Sequence, residues 1–446
     1  MTTPAPSWSL ERKGIEVVSE AERQGRVGSV FTLWVGANVE FATLTTGALA
    51  TGLFGLSFWQ ALLALGIGNL LGAVLMGVLS SYGPRIGLPQ LMQSRRAFGS
   101  WGNRLPALLN FIGGFSWFAV NTVLGAFALD WLFGFPFALS VAILTLAQGF
   151  IAVIGHNLIH AIERYLAWIL VAIFLVVSVY GFSHTDFALP AQLKALSSFG
   201  GLSGAFILTI AVTFSYLLGW MPYASDYTRY LPSSARSAQV FSLTFWSNFL
   251  ACLWIEVLGA ALATIAPLSV PTDLVTHLLP HLLGVLAMLA VILGTVTANV
   301  LNIYSGALSS LALGLRLPRW GAAVVVSCFG LLISLLAGQN YYGNYESFLF
   351  LLGYWTAPWV AVVILHLYFS RSSSAGEPSR FRWGFWAWLI GIALSVPFMN
   401  QSLYTGPFAA SHPGFGDLTY FVSFLVAALV YWFGLRRSAA LSASAS

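Results

Sequence analysis

Charge is what this 446-residue sequence has least of: Asp, Glu, Lys and Arg together make up 7% of it. A soluble globular domain carries about 25%. A soluble enzyme, a disordered chain and a nucleic-acid binder are therefore excluded, the last despite an isoelectric point near 9.2. Cysteine is nearly absent, and the two present, Cys252 and Cys328, lie in apolar runs, so no disulfide framework is expected. There is no P-loop and no Ser/His/Asp constellation. His156, His160 and His366 lack the spacing of a metal centre, and packing near the membrane interface is the better reading of them. No enzymatic activity, resident metal or organic cofactor is expected. Residues 1–28 lack the apolar core and cleavage site of a signal peptide and read as a retained cytoplasmic tail.

What the chain does have is apolar length, with 58% hydrophobic residues and a mean hydropathy of +0.83. A membrane-crossing helix needs about 20 apolar residues. Reading apolar runs between turn signals predicts twelve spans, at 29–53, 57–80, 105–133, 137–155, 160–182, 202–222, 238–265, 281–311, 320–337, 346–369, 383–399 and 417–435. The runs are continuous rather than alternating, which excludes a β-barrel. The fold class is thus an all-α polytopic membrane protein. With both termini placed in the cytoplasm, every Lys and Arg except Lys194 falls in a tail or cytoplasmic loop, the pattern expected in a cell membrane.

Ionisable groups inside a span are costly and usually face a cavity or a partner. Glu40, near the middle of the first span, suits a proton carrier or a ligand for an amine or ring N–H. A carboxylate held for structural reasons by nearby backbone or Thr hydroxyls is the alternative, less favoured because burying a carboxylate is costly. Glu256 reads as snorkelling or pairing with another helix. Asp130, Glu346 and Asp417 fall at span ends, where solvation is expected.

The first span carries Gly36, Asn38 and Glu40, and the sixth carries Gly219 and Pro222. Helix breaks at equivalent places in two five-span halves are the mark of an inverted repeat, with the substrate site between them. The expected division is a first repeat at 29–182 and a second at 202–369. Two additional spans follow within 370–435, then a cytoplasmic tail at 436–446. In the third span Trp117 and Asn121 share a helical face, an indole beside a carboxamide. Trp is abundant here, so from spacing alone simple packing is the stronger reading of the pair. The eighth span places Thr295, Thr297, Asn299 and Asn302 within about two turns, denser than polar contacts between helices usually require.

These features come with a series of local motifs: ERKGIEVVSEAER before the first span, LWVGANVE within it and FWQALLALGIGNLLGAVLMG in the second. GPRIGLPQLMQSRRAFGSWGNRLPALLN, WFAVN, YASDYTRYLP and TANVLNIYSGALS follow in order. Over roughly residues 11–435 the chain resembles the nucleobase:cation symporter-1 family, especially its purine–cytosine permease branch. The resemblance implies a LeuT-like twelve-helix transporter with broken helices 1 and 6. It also implies import of a nucleobase or related heterocycle, such as cytosine, a purine, allantoin or a vitamin pyrimidine, coupled to H⁺ or Na⁺. By the same resemblance Trp117 and Asn121 bind substrate, with Tyr216 or Trp220 as the second ring and Asn302 or Asn299 reading the ring edge. Ala37, Asn38, Thr295 and Thr297 match the ion site. Glu40 departs from the family pattern, which suits proton coupling or an added substrate contact. An amino-acid or amine symporter of the same architecture is the alternative. The expected partners are a small heterocycle and the lipid bilayer, with no nucleic acid and the oligomeric state open.

Overall fold

The computed structural model describes residues 8–338, 341–370 and 379–444. The first segment comprises α1 (Ser29–Asn38) and α2 (Phe41–Ala48), followed by α3 (Phe58–Ser80), α4 (Gly83–Ile86) and α5 (Gln90–Phe98). Then come α6 (Arg104–Phe133), α7 (Phe137–Ile154), α8 (His156–His184), α9 (Leu193–Ser198), α10 (Gly201–Trp220) and α11 (Ala224–Thr228). The rest are α12 (Ser237–Leu262), α13 (His281–Leu313), α14 (Arg319–Ala337), α15 (Tyr341–Phe369), α16 (Trp383–Ser395), α17 (Pro407–Ser411) and α18 (Thr419–Ser444). A two-stranded hairpin, Asn400–Gln401 with Tyr404–Thr405, is the sheet seen among the described residues. Ten of the described helices are long and apolar enough to cross a membrane. Two shorter apolar ones, Phe41–Leu53 and Trp383–Phe398, occupy the first and eleventh expected positions.

Packing is by small residues at close crossings, since lipid offers no hydrophobic drive between helices. Gly47 of α2 faces α12 so closely that a Cβ there would lie 1.8 Å from the Glu256 carbonyl oxygen. One on Gly259 would lie 1.9 Å from that of Leu44. Elsewhere α3 packs on α12, α6 on α13 and α7 on α14. The second, third and fourth apolar segments thus each lie against the segment five places later.

The first segment is interrupted at Val39 and Glu40, where Glu40 is fully extended (φ −149°, ψ 173°) before α2 begins. The glycine that the sequence suggests as the breaker does something else. Gly36 remains helical inside α1, and a Cβ on it would collide with a Glu163 carboxylate oxygen at 2.1 Å. The sixth segment is interrupted more gently, its α-helix ending at Trp220. Met221–Tyr223 tighten to a 3₁₀ turn, and helical backbone continues through α11 as one span, Gly201–Thr228. Proline's fixed φ is compatible with such a turn, and its missing N–H is tolerated where hydrogen bonding is already rearranged.

The N-terminal tail is seated on the bundle. Glu11 accepts hydrogen bonds from the Tyr304 hydroxyl at 2.9 Å, the His156 backbone N–H at 2.8 Å and the Tyr230 hydroxyl. It also faces Arg229 and Arg319 at 3.8 and 3.6 Å. Arg229 in turn donates to the Gly14 carbonyl (2.7 Å) and Arg319 to that of Ala152 (2.8 Å). One carboxylate thus ties the tail to α8, α13, α14 and the segment after α11.

Asp417 is not the solvated end residue expected. It is fully buried and accepts from the Tyr354 hydroxyl (2.6 Å) and the backbone N–H groups of Asn400 and Thr419 (2.9 and 2.8 Å). Burial raises its carboxyl above the usual range, against the opposing effect of these donors. Asp130 is exposed as expected. The Glu346 side chain, Arg371 and residues 1–7 lie outside the described residues.

Candidate functional site

The break in the first segment puts Glu40 between α10 and α13. Its Cβ fits because Gly294 has none: one built there would sit 2.9 Å away. The Tyr216 hydroxyl lies 3.3 Å from Oε1, where it donates, and 2.6 Å from the Thr43 hydroxyl. Oε2 of Glu40 has no partner among the described residues although the side chain is buried.

Trp117 of α6 closes the same region. Its indole meets the Tyr216 ring edge-to-face at 5.7 Å and the Phe348 ring at 5.0 Å. Gly219 lets it approach, since a Cβ there would lie 3.2 Å from the indole nitrogen. Trp220 belongs to a neighbouring cluster, packing on Trp34 at 5.8 Å and Tyr223 at 5.7 Å. Of the two sixth-segment rings left open by the sequence, Tyr216 is the one in ring contact with Trp117 and within hydrogen-bonding distance of Glu40.

The amides form a second wall. Asn299 donates to the Phe118 carbonyl (3.1 Å), the Thr122 hydroxyl (3.1 Å) and Gln148 Oε1 (3.0 Å), and so joins α13 to α6 and α7. Its own oxygen accepts from Asn121 and from Asn302, both at 3.3 Å. Asn299 is thereby fully used inside the protein. Asn121 and Asn302 are left with buried side-chain oxygens that have no partner among the described residues. Two amide oxygens held in place from behind are acceptors for the N–H groups of a small polar ligand. Replacing Asn299 by Ala would strip five neighbours of a partner, and each buried polar group left unsatisfied costs about 1–3 kcal/mol. We expect a lower melting temperature for the detergent-solubilised Asn299→Ala protein, whereas Asn299→Asp should keep the acceptor half of the network.

The expected ion ligands separate. Thr297 donates to the Gly36 carbonyl at 2.8 Å and so bridges α13 to α1. Thr295 faces the other way, accepting from Gln148 at 3.4 Å and packing against Gly125 of α6. Asn38 donates to the Trp34 carbonyl (2.8 Å) and to Asn248 of α12 (3.1 Å), and Ala37 is buried beside it in α1. Glu256 is satisfied on one oxygen by Asn69 of α3 at 2.5 Å, which makes it a helix-pairing group, and its other oxygen has no partner among the described residues.

Sequence reasoning missed Glu163. It sits near one end of its span and passes as interfacial by position, yet it is fully buried against α1. The glycine at position 36, a helical residue with no turn to make, is the one sequence signal that something large must fit there.

The sequence profile of the family described as "Permease for cytosine/purines, uracil, thiamine, allantoin" matches residues 17–423. The purine-cytosine permease fcyB of Emericella nidulans is 27% identical over 474 residues, covering 96% of this chain and 88% of its own length. The vitamin B6 transporter TPN1 of Saccharomyces cerevisiae is 24% identical over 501 residues, covering 95% and 86%. Among solved structures, Mhp1 aligns with a TM-score of 0.77 at 20% identity over 97% of both chains. It is a nucleobase-cation-symport-1 family transporter in a closed conformation with bromovinylhydantoin bound. The fold is the LeuT-like transporter fold, and the chain belongs to the family of permeases for cytosine and purines, uracil, thiamine and allantoin.

Proposed function

We propose that this permease imports a nucleobase or a closely related heterocycle in symport with H⁺ or Na⁺, by alternating access. The observation that carries this reading is the junction of Trp117, Tyr216, the unpartnered oxygen of Glu40 and the free amide oxygens of Asn121 and Asn302. The rings offer faces to a planar ligand, each contact contributing about 0.5–1.5 kcal/mol beyond buried area. Selectivity then falls to the three oxygen acceptors, which favour a ring edge rich in N–H or amino groups. Cytosine and the purines have such edges, and the names of relatives such as fcyB point to the same class. The side chains at this junction are nearly inaccessible to solvent in the present closed arrangement, so a ligand enters only after helices move.

The pairing of the second, third and fourth segments with the segments five places later supports two repeats, 29–182 and 202–369, followed by two further spans. The distribution of Lys and Arg supports termini on the cytoplasmic side of a cell membrane. The hydrogen bond from Thr297 to the Gly36 carbonyl supports Thr297 with Ala37 and Asn38 as the ion-side residues, while Thr295 turns toward Gln148.

Uptake of radiolabelled cytosine and purines into proteoliposomes, with proton and sodium gradients imposed separately, tests the reading. Accumulation driven by one of the two gradients is expected, and no accumulation under either would refute it. Glu40→Gln should alter proton dependence or affinity for amino-bearing ligands. A variant indistinguishable from wild type in both would remove Glu40 from the site.

A further inference from the structure

Glu163 stands apart from the site above. It lies in α8, seven residues after His156 and therefore about 10 Å from the tail-side end of that helix. The side chain is fully buried, neither carboxylate oxygen has a hydrogen-bond partner among the described residues, and no basic group pairs with it there. It rests on the Cα of Gly36, where a Cβ would lie 2.1 Å from Oε2, with Ala167 alongside. The Gly36 carbonyl is in turn held by the Thr297 hydroxyl of α13 at 2.8 Å. The carboxyl group therefore sits where α1, α8 and α13 meet, just before the interruption at Val39 and Glu40.

An ionised carboxylate without a partner is among the most costly groups to bury, whereas the neutral acid removes most of that cost. A hard cation is a poor occupant, because it demands several oxygen ligands. The Thr297 hydroxyl behind Gly36 already faces the carbonyls of Gly36 and Gly294, at 2.8 and 2.9 Å. The titratable neighbours are few. α1 and α7 contribute none, α12 carries Cys252 and Glu256, and α13 carries Tyr304 and His281. On α8 itself stand His156, His160, Arg164 and Tyr165, with Arg164 exposed, and Tyr180 and His184 toward its other end. His156 and His160 also meet Tyr230 and Tyr227, beside the Glu11, Arg229 and Arg319 cluster.

We propose that Glu163 is a proton-binding site of the transport cycle. It holds a proton while α1 is packed on α8 and releases it when the two helices part on the tail side. The step is a simple dissociation: the carboxyl O–H bond breaks, the electron pair stays on the carboxylate and the proton passes to entering water. Helix separation and proton release are then one event, because only separation supplies the water that stabilises the charge. This assignment rests on the symport reading for its role in transport, but not for the protonation itself.

The test compares wild type with Glu163→Gln, an uncharged mimic of the protonated acid. In infrared difference spectra of the purified protein, the carbonyl stretch of protonated carboxylic acid should lose amplitude in Glu163→Gln. In proteoliposomes the variant should keep substrate binding and counterflow exchange but lose accumulation driven by an imposed proton gradient, down to its level without a gradient. An unchanged infrared band, or wild-type accumulation with an unchanged pH profile, would overturn the proposal. So would a variant whose defect is in dependence on Na⁺ rather than protons. If Glu163→Gln does not fold, Glu163→Asp is expected to retain coupling with a displaced pH profile, and an undisplaced profile counts against the assignment. If wild type accumulates no heterocycle under any gradient, the symport reading fails, while the infrared comparison still decides whether Glu163 carries a proton.

Discussion

Replacing Glu11 by Gln is expected to lower the stability of the protein by roughly 3–5 kcal/mol, the usual cost of removing one partner from a buried charge cluster. The side chains of Arg229 and Arg319 are fully buried, and Glu11 is the carboxylate facing both. Gln removes the negative charge, and its NH₂ group must replace either the oxygen that accepts from Tyr304 and Tyr230 or the one that accepts from the His156 backbone N–H. Two guanidinium groups would be left with backbone carbonyls as their main acceptors, Gly14 for one and Ala152 to Ile154 for the other. The same change should loosen the tail, because Arg229 and Arg319 also hold its backbone at Gly14 and Glu11. Thermal melting in detergent reads the first effect, and the rate of tryptic cleavage after Arg12 and Lys13 reads the second. A Glu11→Gln protein that melts and cleaves like wild type would show that the cluster is held by its hydrogen-bonded carbonyls alone.

Trp117→Ala is expected to affect both folding and binding. Removing a buried indole usually costs about 3–5 kcal/mol through lost packing and the space left behind. Here the space opens between Tyr216, Phe348 and Gly219. A central aromatic anchor for a ligand contributes at least about 2 kcal/mol, so affinity should fall by roughly 30-fold or more. Trp117→Phe keeps a ring face and should recover much of both. Equilibrium binding of labelled cytosine or purine, measured beside thermal melting, separates the two effects. A variant with a lowered melting temperature but wild-type affinity would mark Trp117 as a packing residue, the plain reading of any Trp in a chain with 17 of them.

Some of the site is legible in the sequence because the lipid solvent makes polarity rare. Glu40 stands out for that reason, and the structure places it at the helix interruption beside Tyr216. Other assignments depend on which face of a helix meets which neighbour. Thr295 and Thr297 are two residues apart and therefore on nearly opposite faces of α13, so only Thr297 reaches α1. Tyr216 and Trp220 are one turn apart on one side of α10, and their order along the helix axis decides which ring meets Trp117. Asn299 and Asn302 look alike in the sequence. Yet one is consumed by Phe118, Thr122 and Gln148, while the other keeps a free oxygen.

The scarcity of charge by itself determined the membrane class, the approximate positions of the apolar segments and the exceptional status of Glu40. These follow from hydration, which acts on each residue according to its own chemistry. The ordered motifs added the family. Only the tertiary structure decided that Pro222 tightens a helix without opening it, that Asp417 is buried, and that Gly36 exists to receive Glu163. Such outcomes depend on contacts between segments far apart in the chain, and a glycine has the same letter whether it bends a helix or makes room for a carboxyl group.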